Sequence, residues 1–199
     1  MKILIVGASG TIGRAVASEL GQRHEIISGG RTSGDIRMDL TDSSSIRAAC
    51  EEVGPLDAVV STAGNVKFAP LEDMQENDYA VGLQDKLMGQ VNLVLIGRDY
   101  VSEGGSFTLT TGVLDRDPIR QGTSAAMVNG AINAFVRAAA IEMPQGQRIN
   151  AVSPGVIEES MEAYGPFFRG FEAVPSGRAA LAYAKSIEGA QTGQVYCVE

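Results

Sequence analysis

Three glycines follow an apolar run near the start of the chain, at Gly7, Gly10 and Gly13. This spacing suits a turn between a buried strand and a helix, where the chain must turn tightly, approach a ligand and pack closely. The free N–H groups at the start of such a helix attract phosphate. The turn therefore predicts a dinucleotide site. We expect its contacts to come from Gly7, Ser9, Gly10, Thr11, Ile12 and Gly13.

The residues about 20 positions further on indicate which dinucleotide is bound. An NAD site usually has a carboxylate there for the ribose hydroxyls, whereas this chain has Arg31 followed by Thr32 and Ser33. A guanidinium suits a 2′-phosphate, and hydroxyl groups add hydrogen bonds. We therefore expect NADP(H) in preference to NAD(H), with Arg31 and Thr32 as ligands. The alternative is that Arg31 is a solvated loop residue.

Short apolar runs alternate with helical patterns along the chain and must position these residues. The predicted strands are Ile3–Val6, Glu25–Ser28, Ile36–Met38, Asp57–Ser61, Ser106–Thr110, Arg148–Ser153 and Gln194–Val198. The predicted helices are Thr11–Leu20, Ser43–Val53, 77–102, 124–142 and Arg178–Ile187. This alternation predicts an α/β fold: one Rossmann-type domain over residues 1–199, with a doubly wound parallel sheet of about seven strands and helices on both faces.

Composition excludes several function classes. The net charge of −8 disfavours nucleic acid and anionic membrane surfaces as partners. Cys50 and Cys197 form no metal-ligand pattern, and their small number is typical of a cytoplasmic protein. The acidic residues Glu142, Glu158 and Glu159 have no ligand spacing with a histidine, so we expect no metal site.

Four further segments carry a resemblance to a known family. They are Met38–Thr41, Ser61–Gly64, Arg148–Gly155 and Thr192–Val195. With the glycine turn, they resemble the short-chain dehydrogenase/reductase family over nearly the whole chain. The resemblance implies that the adenine contacts Asp39 and Leu40, that Ala63 and Gly64 line the cofactor, and that Pro154 and Gly155 lie beside the nicotinamide. The chain departs from the family in lacking a helix between its second and third strands.

The catalytic motif of the family is missing. The family uses a Tyr-x-x-x-Lys motif, in which the tyrosine exchanges a proton with the substrate oxygen and the lysine holds the nicotinamide ribose. In the matching helix, the segment 130–132 fixes the register and places Ala125 at the tyrosine position and Asn129 at the lysine position. An alanine has no proton to donate, so this chain needs another donor.

Lys86 and Thr111 are the candidates to replace the missing groups. Lys86 stands where the family has an asparagine on the preceding long helix, so lysine and asparagine are exchanged between the two helices. Its ammonium would hold ribose hydroxyls, polarise a carbonyl or donate a proton. The family's serine falls at Thr111 or Gly112. We therefore assign catalysis to Lys86, Thr111 and Asn129. The alternatives are a solvated or subunit-interface lysine and a structural threonine.

An aromatic cluster follows the sixth strand, at Tyr164, Phe167, Phe168 and Phe171. This region forms the substrate lid in the family, so it predicts an apolar or aromatic small-molecule substrate. A subunit contact is the alternative, and the resemblance also implies a homodimer or homotetramer.

Two functions follow from these observations. The first is an NADP(H)-dependent oxidoreductase that transfers hydride between the nicotinamide and a small organic substrate with a non-standard proton donor. The alternative is a catalytically inactive NADP(H)-binding sensor or scaffold, because the same fold serves both. A third possibility, a structural or interaction protein whose cofactor site is vestigial, is disfavoured by the intact glycine turn and Arg31.

Overall fold

One sheet of seven parallel strands forms the centre of the computed structural model, which describes residues 1–199. The strands are β1 Lys2–Val6, β2 Glu25–Gly30, β3 Ile36–Arg37, β4 Leu56–Ser61, β5 Val101–Thr110, β6 Arg148–Pro154 and β7 Val195–Val198. Their order in the sheet is β3-β2-β1-β4-β5-β6-β7. The predicted Rossmann-type parallel sheet of about seven strands is therefore confirmed.

The helices cover both faces of this sheet. They are α1 Thr11–Leu20, α2 Ser43–Val53, α3 Glu76–Val81, α4 Gly89–Gly97, α5 Thr123–Ala139, α6 Met161–Tyr164 and α7 Ser176–Glu188. No helix combines the length and apolar character that would be needed to cross a membrane.

Strand β1 shows why the sheet is covered on both sides. Leu4 and Val6 belong to a core formed with α2, α4 and α5, whereas Ile3 and Ile5 belong to a second core formed with α1 and α7. Side chains alternate across a strand, so an uninterrupted apolar run supplies both cores.

The predicted helix over 77–102 is wrong in two respects. First, the chain leaves the helix after Gly97, and β5 already begins at Val101, which pairs with Leu56. The pairing of β4 with β5 is irregular between Leu56 and Ala58, so this early part of β5 lacks the regular alternation that sequence patterns detect. Second, the helix is not a continuous α-helix, because residues Gly82–Met88 form a π-helical segment between α3 and α4.

The direction in which successive strands are added to the sheet reverses at β1. From β1 the chain builds outwards to β2 and β3, and it then returns to place β4 on the other side of β1. A crevice opens at the carboxyl ends of the strands at such a point, and ligands of open α/β sheets bind there. The turns after β1 and β4 are therefore expected to form the site.

Candidate functional site

The turn after β1 is locked to the turn after β4. The Thr62 hydroxyl donates to the carbonyl oxygens of Val6 and Gly7, each at 3.1 Å, and the Thr62 N–H donates to Val6 O at 2.8 Å. Gly7 has a φ of +88°, and a Cβ there would lie 2.9 Å from both Ala63 N and Thr62 Oγ1. Only glycine fits both restrictions.

Helix α1 begins directly after this turn. Gly10 caps it with extended backbone and no side-chain hydrogen bond, which leaves the first N–H groups available to a ligand. A Cβ at Gly13 would lie 2.1 Å from Gly7 O, so the third glycine lets the helix approach the turn. The close approach brings the positive end of the helix dipole to the crevice.

A groove of about 140 Å³ runs from the glycine turn towards β2 and β3. Its lining includes eight of the sequence-predicted cofactor residues: Gly7, Ser9, Arg31, Thr32, Asp39, Leu40, Ala63 and Gly64. Gly10, Thr11 and Gly13 lie at the start of α1 and do not line the groove, whereas Ile12 lines the neighbouring cavity with Pro154 and Gly155.

The charged groups in and beside this groove differ in whether other groups of the chain already bind them. The Asp39 carboxylate accepts hydrogen bonds from Thr41 N at 2.9 Å and Thr41 Oγ1 at 2.7 Å, and these bonds, with a smaller contribution from Arg31, lower the pKa of Asp39. The Asp35 carboxylate is bound by the N–H and hydroxyl of Ser28. The Arg31 guanidinium is exposed and has no hydrogen bond or ion pair within the chain, so it is free to bind an anion.

A second cavity of about 230 Å³ lies at the carboxyl ends of β5 and β6. It contains the three residues to which the sequence assigned catalysis. Lys86 Nζ lies 2.9 Å from Asn129 Oδ1 and 3.4 Å from the carbonyl oxygen of Thr111. Asn129 Nδ2 donates to Gly112 O at 3.3 Å. The exchanged lysine and asparagine are thus in direct contact across the two helices.

The π-helical segment and a glycine shape the path of the Lys86 side chain. Lys86 lies within the segment Gly82–Met88, and π-helical turns frequently occur at functional sites. Gly64 has a φ of +132°, and a Cβ there would lie 2.7 Å from Lys86 Cγ. The loop after β4 therefore touches the lysine stem and leaves no room for a side chain at Gly64.

Burial lowers the pKa of Lys86 to about 8, from an ordinary value of 10.5. Desolvation is its sole cause, and no charged group adds to or opposes it. Because the value lies near neutrality, Lys86 exchanges protons far more readily at pH 7 than an ordinary lysine.

The Thr111 hydroxyl contacts the backbone of β6 and not the Lys86 ammonium. Thr111 is buried, and its Oγ1 lies 3.4 Å from Val152 O, so the residue contacts Lys86 through its main chain instead. Thr111 nevertheless belongs to the cavity lining.

No tyrosine takes the place of the missing phenol inside the cavity. Ala125 is 3% exposed and lies in an apolar wall with Val113, Leu114 and Phe168. Tyr79 is bonded to Thr123 Oγ1 at 2.9 Å and is not part of the lining. Tyr164 does line the cavity, but it lies at the mouth and is 44% exposed.

The aromatic cluster after β6 is divided between the cavity and the surface. Tyr164 and Phe168 line the cavity, Phe171 packs against Phe168 with ring centroids 5.3 Å apart, and Phe167 is exposed. Of the four aromatic side chains, Tyr164 and Phe168 therefore occupy positions expected of an apolar substrate wall, and Phe167 and Phe171 do not.

Sequence reasoning missed several residues that line the two spaces. Asn65 and Asp85 close one end of the groove with a 2.8 Å hydrogen bond. The apolar lining that was not anticipated comprises Val66, Phe68, Val113, Leu114, Val156 and Ile157. The signal for most of them is their position directly after a strand, where ligand-contacting loops occur in this kind of sheet.

The seven-stranded parallel sheet, with its groove at the reversal of strand order, is a Rossmann-type fold. The chain matches the sequence model described as enoyl-(acyl carrier protein) reductase over residues 7–195. It belongs to the short-chain dehydrogenase/reductase family.

Relatives and solved structures agree with this assignment. Versicolorin reductase stcU of Emericella nidulans is 29% identical over 188 residues, which cover 79% of this chain and 69% of that protein. Protein lin1944 of Listeria innocua is 52% identical, with a TM-score of 0.99 and full coverage of both chains. A small-chain dehydrogenase solved in complex with NADPH is 25% identical, with a TM-score of 0.89, covering 100% of this chain and 96% of that one.

Proposed function

We propose that this protein is an NADP(H)-dependent oxidoreductase in which Lys86 replaces the tyrosine of the family as the proton donor. The observation that carries the proposal is the position of Lys86 Nζ, held by Asn129 Oδ1 and Thr111 O in a cavity whose lining also includes Ile12, Pro154 and Gly155. An ionisable group with a pKa near neutrality in a cleft is a candidate for catalysis.

The groove fits a nicotinamide dinucleotide. Glycines stand where a Cβ would collide with the turn, and α1 offers unpaired N–H groups beside them. Bound there, NADPH would supply a hydride. Gly7, Ser9, Gly10, Thr11, Ile12 and Gly13 are the turn residues that we assign to its phosphates and ribose. The remaining ligands would be Asp39, Leu40, Ala63, Gly64, Pro154 and Gly155.

Preference for NADP(H) over NAD(H) rests on Arg31 and Thr32. The guanidinium is unpaired within the chain, and the nearest carboxylate after β2, that of Asp35, is bound to Ser28. A 2′-phosphate would pair with Arg31, whereas the carboxylate of Asp39, which lines the same groove, already accepts two hydrogen bonds from Thr41. The NADPH complex of a 25% identical dehydrogenase supports the same preference.

Lys86 would act by moving one proton. At pH 7 a group with a pKa of about 8 is mostly protonated, so the ammonium can donate to a substrate oxygen that gains charge during reduction. Asn129 and Thr111 fix the ammonium by accepting two of its three N–H groups. The apolar wall around Ala125 and Phe168 keeps water from the reacting atoms and fits an apolar or aromatic substrate.

Activity measurements with a matched pair of variants test this function. NADPH oxidation is followed against panels of ketones, aldehydes, enones and quinones for the wild type, Lys86→Met and Lys67→Met. Lys67 is exposed and lines neither space, so it is the control. We expect turnover that falls at least 100-fold in Lys86→Met and is unchanged in Lys67→Met. Tight NADPH binding without turnover of any substrate would instead favour the sensor or scaffold function.

A homodimer is the assembly that we propose. Apolar side chains are exposed on the helical layer formed by α3, the π-helical segment, α4 and α5, namely Val81, Leu83, Met88, Leu95 and Met127. The two long helices of the family pair across a dimer axis, and these side chains would be covered by such pairing.

A further inference from the structure

Lys86 is the one basic side chain in the lining of the substrate cavity, and no carboxylate pairs with it. The lining contains no Asp or Glu. Asp85, its neighbour in sequence, is bonded to Asn65 and lines the other groove. Asp115 is bonded to Asn133. Burial accordingly lowers the pKa of Lys86.

Lys86 is half-buried, and an ammonium held partly out of water without a counter-charge is costly, so proteins ordinarily pair such groups. The two oxygens that Lys86 contacts, on Asn129 and Thr111, are both neutral acceptors. They occupy two of three N–H groups and leave one donor for a ligand. The cavity therefore contains one positive charge without a partner. One N–H group of Lys86 remains free to donate a hydrogen bond to a bound anion.

The number of available donors decides between kinds of anion. A carboxylate or phosphate has two or more oxygens and about four or more lone-pair sites, and the lining holds no arginine to satisfy them. A phenolate has one oxygen, and the enolate of a cyclic 1,3-dione has two that point away from each other, so in both anions only one oxygen can reach the lysine while the charge is spread over the ring. Such an anion loses less hydration on entering an apolar wall.

Size restricts the rest of the ligand. The cavity measures about 230 Å³, below the range of roughly 300–1,000 Å³ that is typical of pockets for drug-sized ligands. Ten of its 17 lining residues are hydrophobic, and Phe68, Tyr164 and Phe168 supply aromatic faces. A compact apolar ring fits this lining.

We propose that the substrate cavity binds a small apolar ring compound through one ionised enol or phenol oxygen, which pairs with Lys86. This assignment rests on the proposed function for the meaning of the cavity, but the binding itself requires no turnover. It excludes carboxylic acids and neutral ketones as the preferred ligands.

Three ring compounds of nearly equal size test the assignment by calorimetric titration in the presence of NADP⁺, which prevents reduction. They are cyclohexane-1,3-dione, which is an enolate at pH 7, its neutral enol ether 3-methoxycyclohex-2-enone, and cyclohexanecarboxylate. We expect the dione to bind the wild type at least 10-fold more tightly than either of the others. Equal affinity of the dione and the ether, tighter binding of the carboxylate, or no binding of the dione would overturn the proposal.

Two variants identify the lysine as the origin of this preference. Lys86→Met removes the cation, and Asn129→Asp supplies a carboxylate beside it while retaining the shape of the side chain. Both are expected to reduce the preference for the dione to less than 2-fold, whereas Lys67→Met keeps it. A preference that persists in both variants would contradict the assignment. Turnover of neutral ketones without anion preference would overturn this inference alone, and anion preference without any NADPH oxidation would overturn only the proposed oxidoreductase.

Discussion

Replacing Lys86 with methionine is expected to change how the stability of the protein depends on pH. In the fold the pKa of Lys86 is about 8, below its ordinary value of 10.5. The unfolded chain therefore binds the proton more tightly than the folded chain, and the protonated lysine destabilises the fold at pH values below about 8. This destabilisation disappears as the pH rises from about 8 to about 10.5.

The difference between the two pKa values corresponds to about 3 kcal/mol at pH 7. About 2 kcal/mol of this is lost between about pH 7 and about pH 9.5 by the same linkage. Other titrating groups act equally on the wild type and the variant. The difference in unfolding free energy, Lys86→Met minus wild type, is therefore expected to fall by about 2 kcal/mol over this range.

Urea denaturation of both proteins at both pH values measures this change, and Lys67→Met is the matched control because Lys67 is exposed. The control should differ from the wild type by the same amount at both pH values. A difference for Lys86→Met that does not depend on pH would contradict this prediction, because it would mean that Lys86 is hydrated like an ordinary lysine.

Three other predictions concern the surroundings of Lys86 and the helical layer. Gly64→Ala should destabilise the fold by about 1–3 kcal/mol in urea denaturation, because its φ of +132° and the contact with Lys86 Cγ both exclude a Cβ. Asn129→Asp should raise the pKa of Lys86 and move the high-pH fall of activity upwards by one pH unit or more. Leu95→Glu, at a side chain 45% exposed on α4, should convert the proposed dimer to a monomer in light scattering.

Each of these has an outcome that contradicts it. Unchanged stability of Gly64→Ala would mean that the loop after β4 does not press on the lysine. An unmoved pH profile for Asn129→Asp would show that Asn129 does not contact the titrating group. A wild-type monomer, or a dimer that tolerates the new charge at Leu95, would place the subunit contact elsewhere.

The sheet was predictable because its signals are local. An apolar run that ends at Gly7 predicts a strand that is buried on both faces. Glycines three residues apart predict a tight turn in which a Cβ would not fit. The early start of β5 at Val101 was not predictable, because this part of the strand is defined by an irregular pairing with β4 and not by its own pattern. The same holds for the π-helical segment, whose hydrogen-bond register leaves no mark in the spacing of apolar residues.

The candidate site was predictable in its residues but not in its contacts. Alignment with the family identified Lys86 and Asn129 as an exchanged pair, yet only the fold shows that Nζ and Oδ1 lie 2.9 Å apart. Thr111 was chosen for its hydroxyl, whereas its carbonyl oxygen contacts the lysine. The Asn65–Asp85 bond joins residues 20 positions apart, on a loop and a π-helical segment, and no motif connects them.

A fluorescence titration of the wild type and Arg31→Ala with NADPH and NADH at one ionic strength tests whether this protein binds NADP(H) through Arg31. A hydrogen bond to a charged group contributes about 1.5–3 kcal/mol, or about 10- to 150-fold in affinity. We expect the wild type to bind NADPH more tightly than NADH by a factor in this range, and Arg31→Ala to lose most of the difference. Equal affinity for the two nucleotides, or no binding of either, would contradict it.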